Sequence, residues 1–184
     1  MADRRKRANL FPTDGAPDPR IEPLRQGDER ATLVLFLRDQ RLTLEVKCRG
    51  LGPEELAARS VEPSTMSLLG LVRHMADVER QWFRQRLSGE DVALRYQTAA
   101  DPDGDFDFDS ATTDPAEAWA AWREECAFTD RFISSADLGT VYDGIPGVGR
   151  ISLRETVVHM IEEYARHNGH ADLLRERIDG RIGQ

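Results

Sequence analysis

Apolar residues recur along this chain at spacings of three and four, the period of a helix with one buried face. From Asp28, the run ERATLVLFLRDQRLTLEVKCRG places Leu33, Phe36, Leu37 and Leu44 at helical spacing and meets Gly50, predicting a first long helix to about Lys47. Pro53, Glu54 and Glu55 then predict a short helical connector, since proline suits a first helical position and acids suit the positive end of the helix dipole. A second long helix is expected from Ser67 to Leu87, where Leu68, Leu69, Leu71, Val72, Met75, Val78, Trp82 and Phe83 form a broad apolar stripe. Residues 89–113 read as loop. Asp114-Pro115-Ala116-Glu117 combines a capping box with a proline at the first helical position, opening a third helix to about Ser135. Between Leu138 and Ser152 the glycines and Pro146 exclude a long helix, while Val141-Tyr142 and Arg150-Ile151 can pair as a small ribbon. Ser152-Leu153-Arg154-Glu155 is another capping box, and the fourth long helix runs from it to about Ile178.

Four long helices without a strand-rich region predict an all-α protein, a four-helix bundle over residues 28–184 whose sites are built from side chains on facing helices. No internal repeat of 20–50 residues is present. Residues 1–27 carry Pro12, Pro17, Pro19 and Pro23 among charged and small residues, too little apolar surface to offset the entropy of ordering, and are expected to form a loosely packed tail. At 184 residues the chain buries a genuine core as one domain, so any metal is expected to serve chemistry rather than hold the fold.

The formal net charge of −8 argues against a nucleic-acid surface, which needs clustered positive charge to displace counterions, and favours a small-molecule partner. Cys48 and Cys126 show no C-x-x-C spacing, which fits a reducing cytoplasm and gives no thiolate metal site. No apolar segment follows the basic MADRRKR, and no run reaches the length of a membrane span. A soluble cytoplasmic protein is the expectation.

The candidate chemistry lies in the fourth helix, where His159, Glu163, His167 and His170 follow at spacings of 4, 4 and 3 and therefore line one side. Zinc commonly takes two histidines and a carboxylate, leaving a further position open, and Glu163 with His167 supplies two such donors one turn apart. His74, the only histidine outside this helix, sits on or beside the apolar stripe of the second helix, where an unpaired imidazole is costly to bury. A metal would serve as its partner. A ferritin-like di-iron centre needs Glu-x-x-His on two helices, and the chain contains none. Gly144 to Ile151 misses a phosphate-binding loop because Arg150 replaces the lysine and Ile151 the hydroxyl. The acidic run Asp101 to Asp109 lacks the glycine and glutamate positions of a calcium loop and reads as solvated. Trp82, Trp119 and Trp122 read as core, with one of them available to wall a site.

Two segments, LVRHMADVERQWF in the second helix and EYARHNGHADLLRE in the fourth, resemble the DinB-like four-helix bundles, the latter with Gly169 two residues after His167. Glutamate rather than histidine at position 163 is similar to the mycothiol-dependent maleylpyruvate isomerase branch, and the likeness extends over roughly residues 28–180, where the chain closely resembles actinobacterial DinB-like proteins of unassigned function. The resemblance implies His74, Glu163 and His167 as ligands of a divalent metal, with zinc the default and nickel or iron accepted by similar donors. It implies mycothiol as thiol cosubstrate, and transfer or isomerisation of an electrophilic small molecule. His170, one turn beyond His167, is then the candidate catalytic residue, placed to orient a ligand or carry a proton. Arg73, Arg80 and Arg166 are candidates to receive a substrate carboxylate. A metal-dependent hydrolase and a non-catalytic metal- or ligand-binding bundle are the alternatives, and an apolar helix face would suit a homodimer.

Overall fold

The computed structural model of the chain describes residues 18–20, 27–109 and 112–182. It is mostly helical. The elements are α1 (Glu29–Cys48), α2 (Pro53–Ala57), α3 (Leu68–Glu79) with a π-helical continuation (Arg80–Leu87), α4 (Pro115–Ser135), strands β1 (Val141–Ile145) and β2 (Gly149–Ser152), and α5 (Leu153–Asp179). The antiparallel pair β1–β2 is the ribbon the sequence allows, with Tyr142 opposite Ile151 and a register irregularity between Asp143 and Ile145. It adds a small sheet to what the periodicity predicts as all-α. Of the tail expected over residues 1–27, only 18–20 and 27 are described, and there Arg20 pairs with Asp18 and donates to Thr43 Oγ1 at 3.3 Å.

Each helix begins where local chemistry satisfies its orphan amides. Asp28 accepts from Ala31 N, Ser67 from Gly70 N, and Ser152 exchanges bonds with Glu155 in a full capping box. The box expected at Asp114 is half formed: Asp114 accepts from Ala116 N, whereas Glu117 turns away to take the Tyr96 hydroxyl at 3.0 Å. Gly50, at φ +75, supplies the left-handed turn after α1 that a side chain would strain.

Pairwise contacts fix the helix directions. Glu29 meets Arg154, Gln40 meets Asn168 and Lys47 meets Asp172, so α1 and α5 run parallel. His74 stands by His167, Glu79 by Tyr164 and Trp82 by His159, so α3 runs antiparallel to α5. Arg30 reaches the Ile133 carbonyl, Arg41 reaches Asp130 and Glu45 faces Arg123, so α4 opposes α1. Hence α3 and α4 are parallel, and residues 88–114 must travel back along α3 before α4 can start. The apolar faces meet in one core that includes Leu37, Leu44, Leu71, Met75, Phe83, Trp122, Ile133, Val157 and Met160, each fully buried aliphatic or aromatic side chain contributing about 1.5–3 kcal/mol.

Inside that core lies a carboxylate. Glu79, 0% exposed, accepts from Arg41 Nε at 2.8 Å, Tyr164 OH at 2.9 Å and Thr129 Oγ1 at 2.6 Å. Trp122 Nε1 donates in turn to the Tyr164 oxygen at 2.7 Å, and Arg41 also pairs with Asp130. Arg41 accordingly points inward from α1, while Phe36, expected on the apolar stripe, is 45% exposed. The π-helical turns keep Trp82, Phe83 and Leu87 buried while Arg80 and Arg84 both reach Glu125 of α4.

Removing one member of a buried ion pair typically costs about 3–5 kcal/mol. Glu79→Gln should therefore destabilise by about 3 kcal/mol, with Asp130 limiting the loss by remaining opposite Arg41. Tyr164→Phe should cost about 1–2 kcal/mol, because Trp122 and Glu79 each lose a bond. Urea unfolding monitored by circular dichroism gives both values, and equal small losses would show that this network does not hold the helices in register.

Candidate functional site

The register set by Glu79 and Tyr164 carries two neighbouring positions with it. Glu163 precedes Tyr164 in α5, and His74 lies five residues before Glu79 in α3. Because α3 and α5 are antiparallel, His74 is brought against His167, with ring centroids 4.6 Å apart. Among the described residues, His74, Glu163 and His167 form a group suited to a metal ion, with one ligand atom from each within 4.8 Å of the other two. Glu163 Oε2 lies 3.5 Å from His167 Nε2, close to the roughly 3.3 Å that separates donors around tetrahedral zinc. All three are partly buried.

Each donor has a neighbour behind it. His159 Nε2 is 3.4 Å from Glu163 Oε1, and His170 Nδ1 is 3.4 Å from His167 Nδ1. His74 Nδ1 lies 2.7 Å from Asp105 Oδ2. Trp82 packs its ring 4.6 Å from that of His159, while Trp122 is core. Thus all four residues of the α5 stripe and His74 come together, with His170 set behind a donor instead of across from it.

Burial holds the imidazolium of His167 in disfavour, and repulsion from His74 and His170 adds to it, so its pKa drops from 6.5 to about 4. Near neutral pH His167 is an uncharged donor and has no proton to surrender to a cation. Burial also pushes the Cys48 thiol up to about 12 and raises that of Cys126, so neither protein thiol is a nucleophile. A thiol reacting here has to arrive from outside.

Asp105 is the residue that sequence reasoning missed. It belongs to the acidic run expected to be solvated, yet it is 1% exposed. The run is drawn inward because the segment returning along α3 is fastened to it. Asp77 accepts from the backbone N–H groups of Arg95, Tyr96 and Gln97, and Arg73 donates to the carbonyls of Gly104 and Asp105. Phe106 then packs on the His74 ring at 5.4 Å. Gly70 makes that approach possible, since a Cβ there would come within 2.6 Å of Phe106 Cδ1. The only local hint in the sequence was a phenylalanine after each of Asp105 and Asp107 in an otherwise polar run.

The arginines expected to await a substrate carboxylate each have a partner within the chain. Arg73 stacks between Tyr96 and Phe108, Arg80 pairs with Glu125, and Arg166 pairs with Glu162 on an exposed face. Among the described residues no helix is long and apolar enough to cross a membrane.

The family model for mycothiol-S-transferase matches residues 32–180, a span that contains the three donors and Asp105. No curated protein matches the chain.

The depressed pKa of His167 gives a pH signature in protein stripped of metal. The unfolded chain takes up this proton near pH 6.5 and the folded chain only near 4, so this group lowers stability as pH falls through that window and adds nothing above it. Wild-type protein should lose up to about 1.4 kcal/mol per pH unit more than His167→Gln between pH 6 and 4.5. Urea midpoints across that range measure it, and equal slopes would mean that folded His167 is already protonated.

Proposed function

The chain belongs to the mycothiol-S-transferase family, and we propose that it is a zinc-dependent member that joins mycothiol to an electrophilic small molecule, with the metal held by His74, Glu163 and His167. The observation that carries this reading is the three-donor group in a chain whose own thiols are held inert by burial. The directions of the long helices α1, α3, α4 and α5 support the DinB-like four-helix bundle as the architecture. In that arrangement the donors come from α3 and α5, as interior bundle sites do.

A divalent metal, when bound, supplies Lewis acidity that lowers the pKa of a thiol at its open position. The chain's residues do the rest. His167 and His74 would offer nitrogen lone pairs and Glu163 a carboxylate, so a dication held there would keep net positive charge toward an incoming sulfur. The thiol loses its S–H proton and its sulfur forms the bond to the electrophilic carbon, with the displaced group, or the electron pair of an opened double bond, accepting a proton. His159, beside Glu163 Oε1, stands where that proton can be received, while His170 faces Nδ1 of His167 and suits an orienting role. Trp82 gives the His159 side of the site an apolar wall.

The test is direct. Purified protein should contain close to one zinc per chain, and metal-loaded protein should couple mycothiol to a bromobimane-type electrophile faster than the uncatalysed reaction. His74→Ala should lose the metal and at least 100-fold in kcat/KM, with its fold intact by circular dichroism. Metal-dependent ester cleavage without any thiol coupling would instead identify a hydrolase. Protein that binds no divalent metal would overturn the metal assignment.

A further inference from the structure

We propose that Asp105 is a positioning residue for the metal: it locks His74 in the tautomer whose Nε2 lone pair faces Glu163 and His167. The inference rests on the reading of His74 as a metal ligand. Its own support is geometric. The buried Asp105 carboxylate has donors on both oxygens, with Phe106 N at 3.1 Å from Oδ1 and Gln97 Nε2 at 2.7 Å from Oδ2. His74 Nδ1 lies at the same distance, 2.7 Å, from Oδ2. With N–H donors on both oxygens, this carboxylate serves its neighbours as an acceptor. The proton of His74 therefore belongs on Nδ1, which leaves Nε2 bare.

The alternative tautomer would set an Nδ1 lone pair against the lone pairs of Asp105 Oδ2 at hydrogen-bond distance, and would turn an N–H toward the two other donors. Both are unfavourable in a low-dielectric setting. The negative charge behind the ring also makes Nε2 a stronger donor, so Asp105 acts on affinity as well as on direction. Phe106, the next residue, presses on the ring of His74 and limits its rotation, so one short segment fixes both the tautomer and the plane. That segment is carried across α3 by Asp77 and Arg73, neither of which touches the donor atoms.

Two readouts on full-length Asp105→Asn test the idea. Zinc affinity is measured by competition with a chromophoric chelator, and the His74 ring is observed by 15N NMR in metal-free protein. The expected results are a 10- to 100-fold weaker zinc affinity and a change from a pure Nδ1–H tautomer to a mixture. If Asp105→Asn does not fold, Gln97→Met removes the other donor from Oδ2, and should weaken zinc in the same direction by a smaller factor. A folded variant with wild-type zinc affinity and an unchanged tautomer would overturn the proposal. His74→Ala separates the two levels: if that change leaves zinc binding intact, the metal reading fails, and the NMR tautomer still decides whether Asp105 holds the ring.

Discussion

Glu79 is the constraint on which the rest depends. A carboxylate with no solvent exposure is tolerated only because Arg41, Thr129 and Tyr164 surround it, one side chain from each of α1, α4 and α5. Apolar faces slide over one another with little penalty as long as volume is conserved, whereas a buried ion pair with directional partners has one acceptable register. A one-residue shift of α5 would take Tyr164 off Glu79 and leave the carboxylate short of a donor. The same shift would move Glu163 and His167 away from His74. Register for the site is thus set by a network that is not itself part of the chemistry.

The second constraint is topological. Parallel α3 and α4 require a connection that recrosses the length of a helix, and here it is a largely irregular segment fastened by Asp77 and Arg73. Loops of this length are commonly functional, and this one delivers Asp105 to the back of His74. Arg73 shows how sequence position misleads: next to a predicted ligand it looks like a substrate-binding cation, yet its stacking and two carbonyl contacts make it a fastener.

Electrostatics divides the molecule into two regimes. Around Glu79 and Glu125 opposite charges are matched at close range, with Arg80, Arg84 and Arg95 all on the Glu125 carboxylate. Around His167 two imidazoles and the Glu163 carboxylate crowd together, and burial depresses the His167 pKa, so the imidazolium is disfavoured there. The matched regions stabilise, whereas the histidine cluster carries no such matched charges, a contrast expected where function competes with stability.

Sequence alone determined the helices and their starts, since periodicity and capping are local: the Ser152 box and the Pro53 connector follow directly from residue type and spacing. It also placed Glu163, His167 and His170 on one helix side, because a 3.6-residue period converts spacing into direction. That His74 would join them was legible in the cost of burying a lone imidazole and in the resemblance of its segment to the DinB-like bundles. What tertiary structure decided was everything that depends on long-range register: the inward turn of Arg41, the release of Glu117 from its capping box to Tyr96, and the burial of Asp105 in a run that reads as solvated. Hydrogen-bond partners across 31 positions, as for His74 and Asp105, leave no local periodic trace, because the loop between them is positioned by α3 and not by its own pattern.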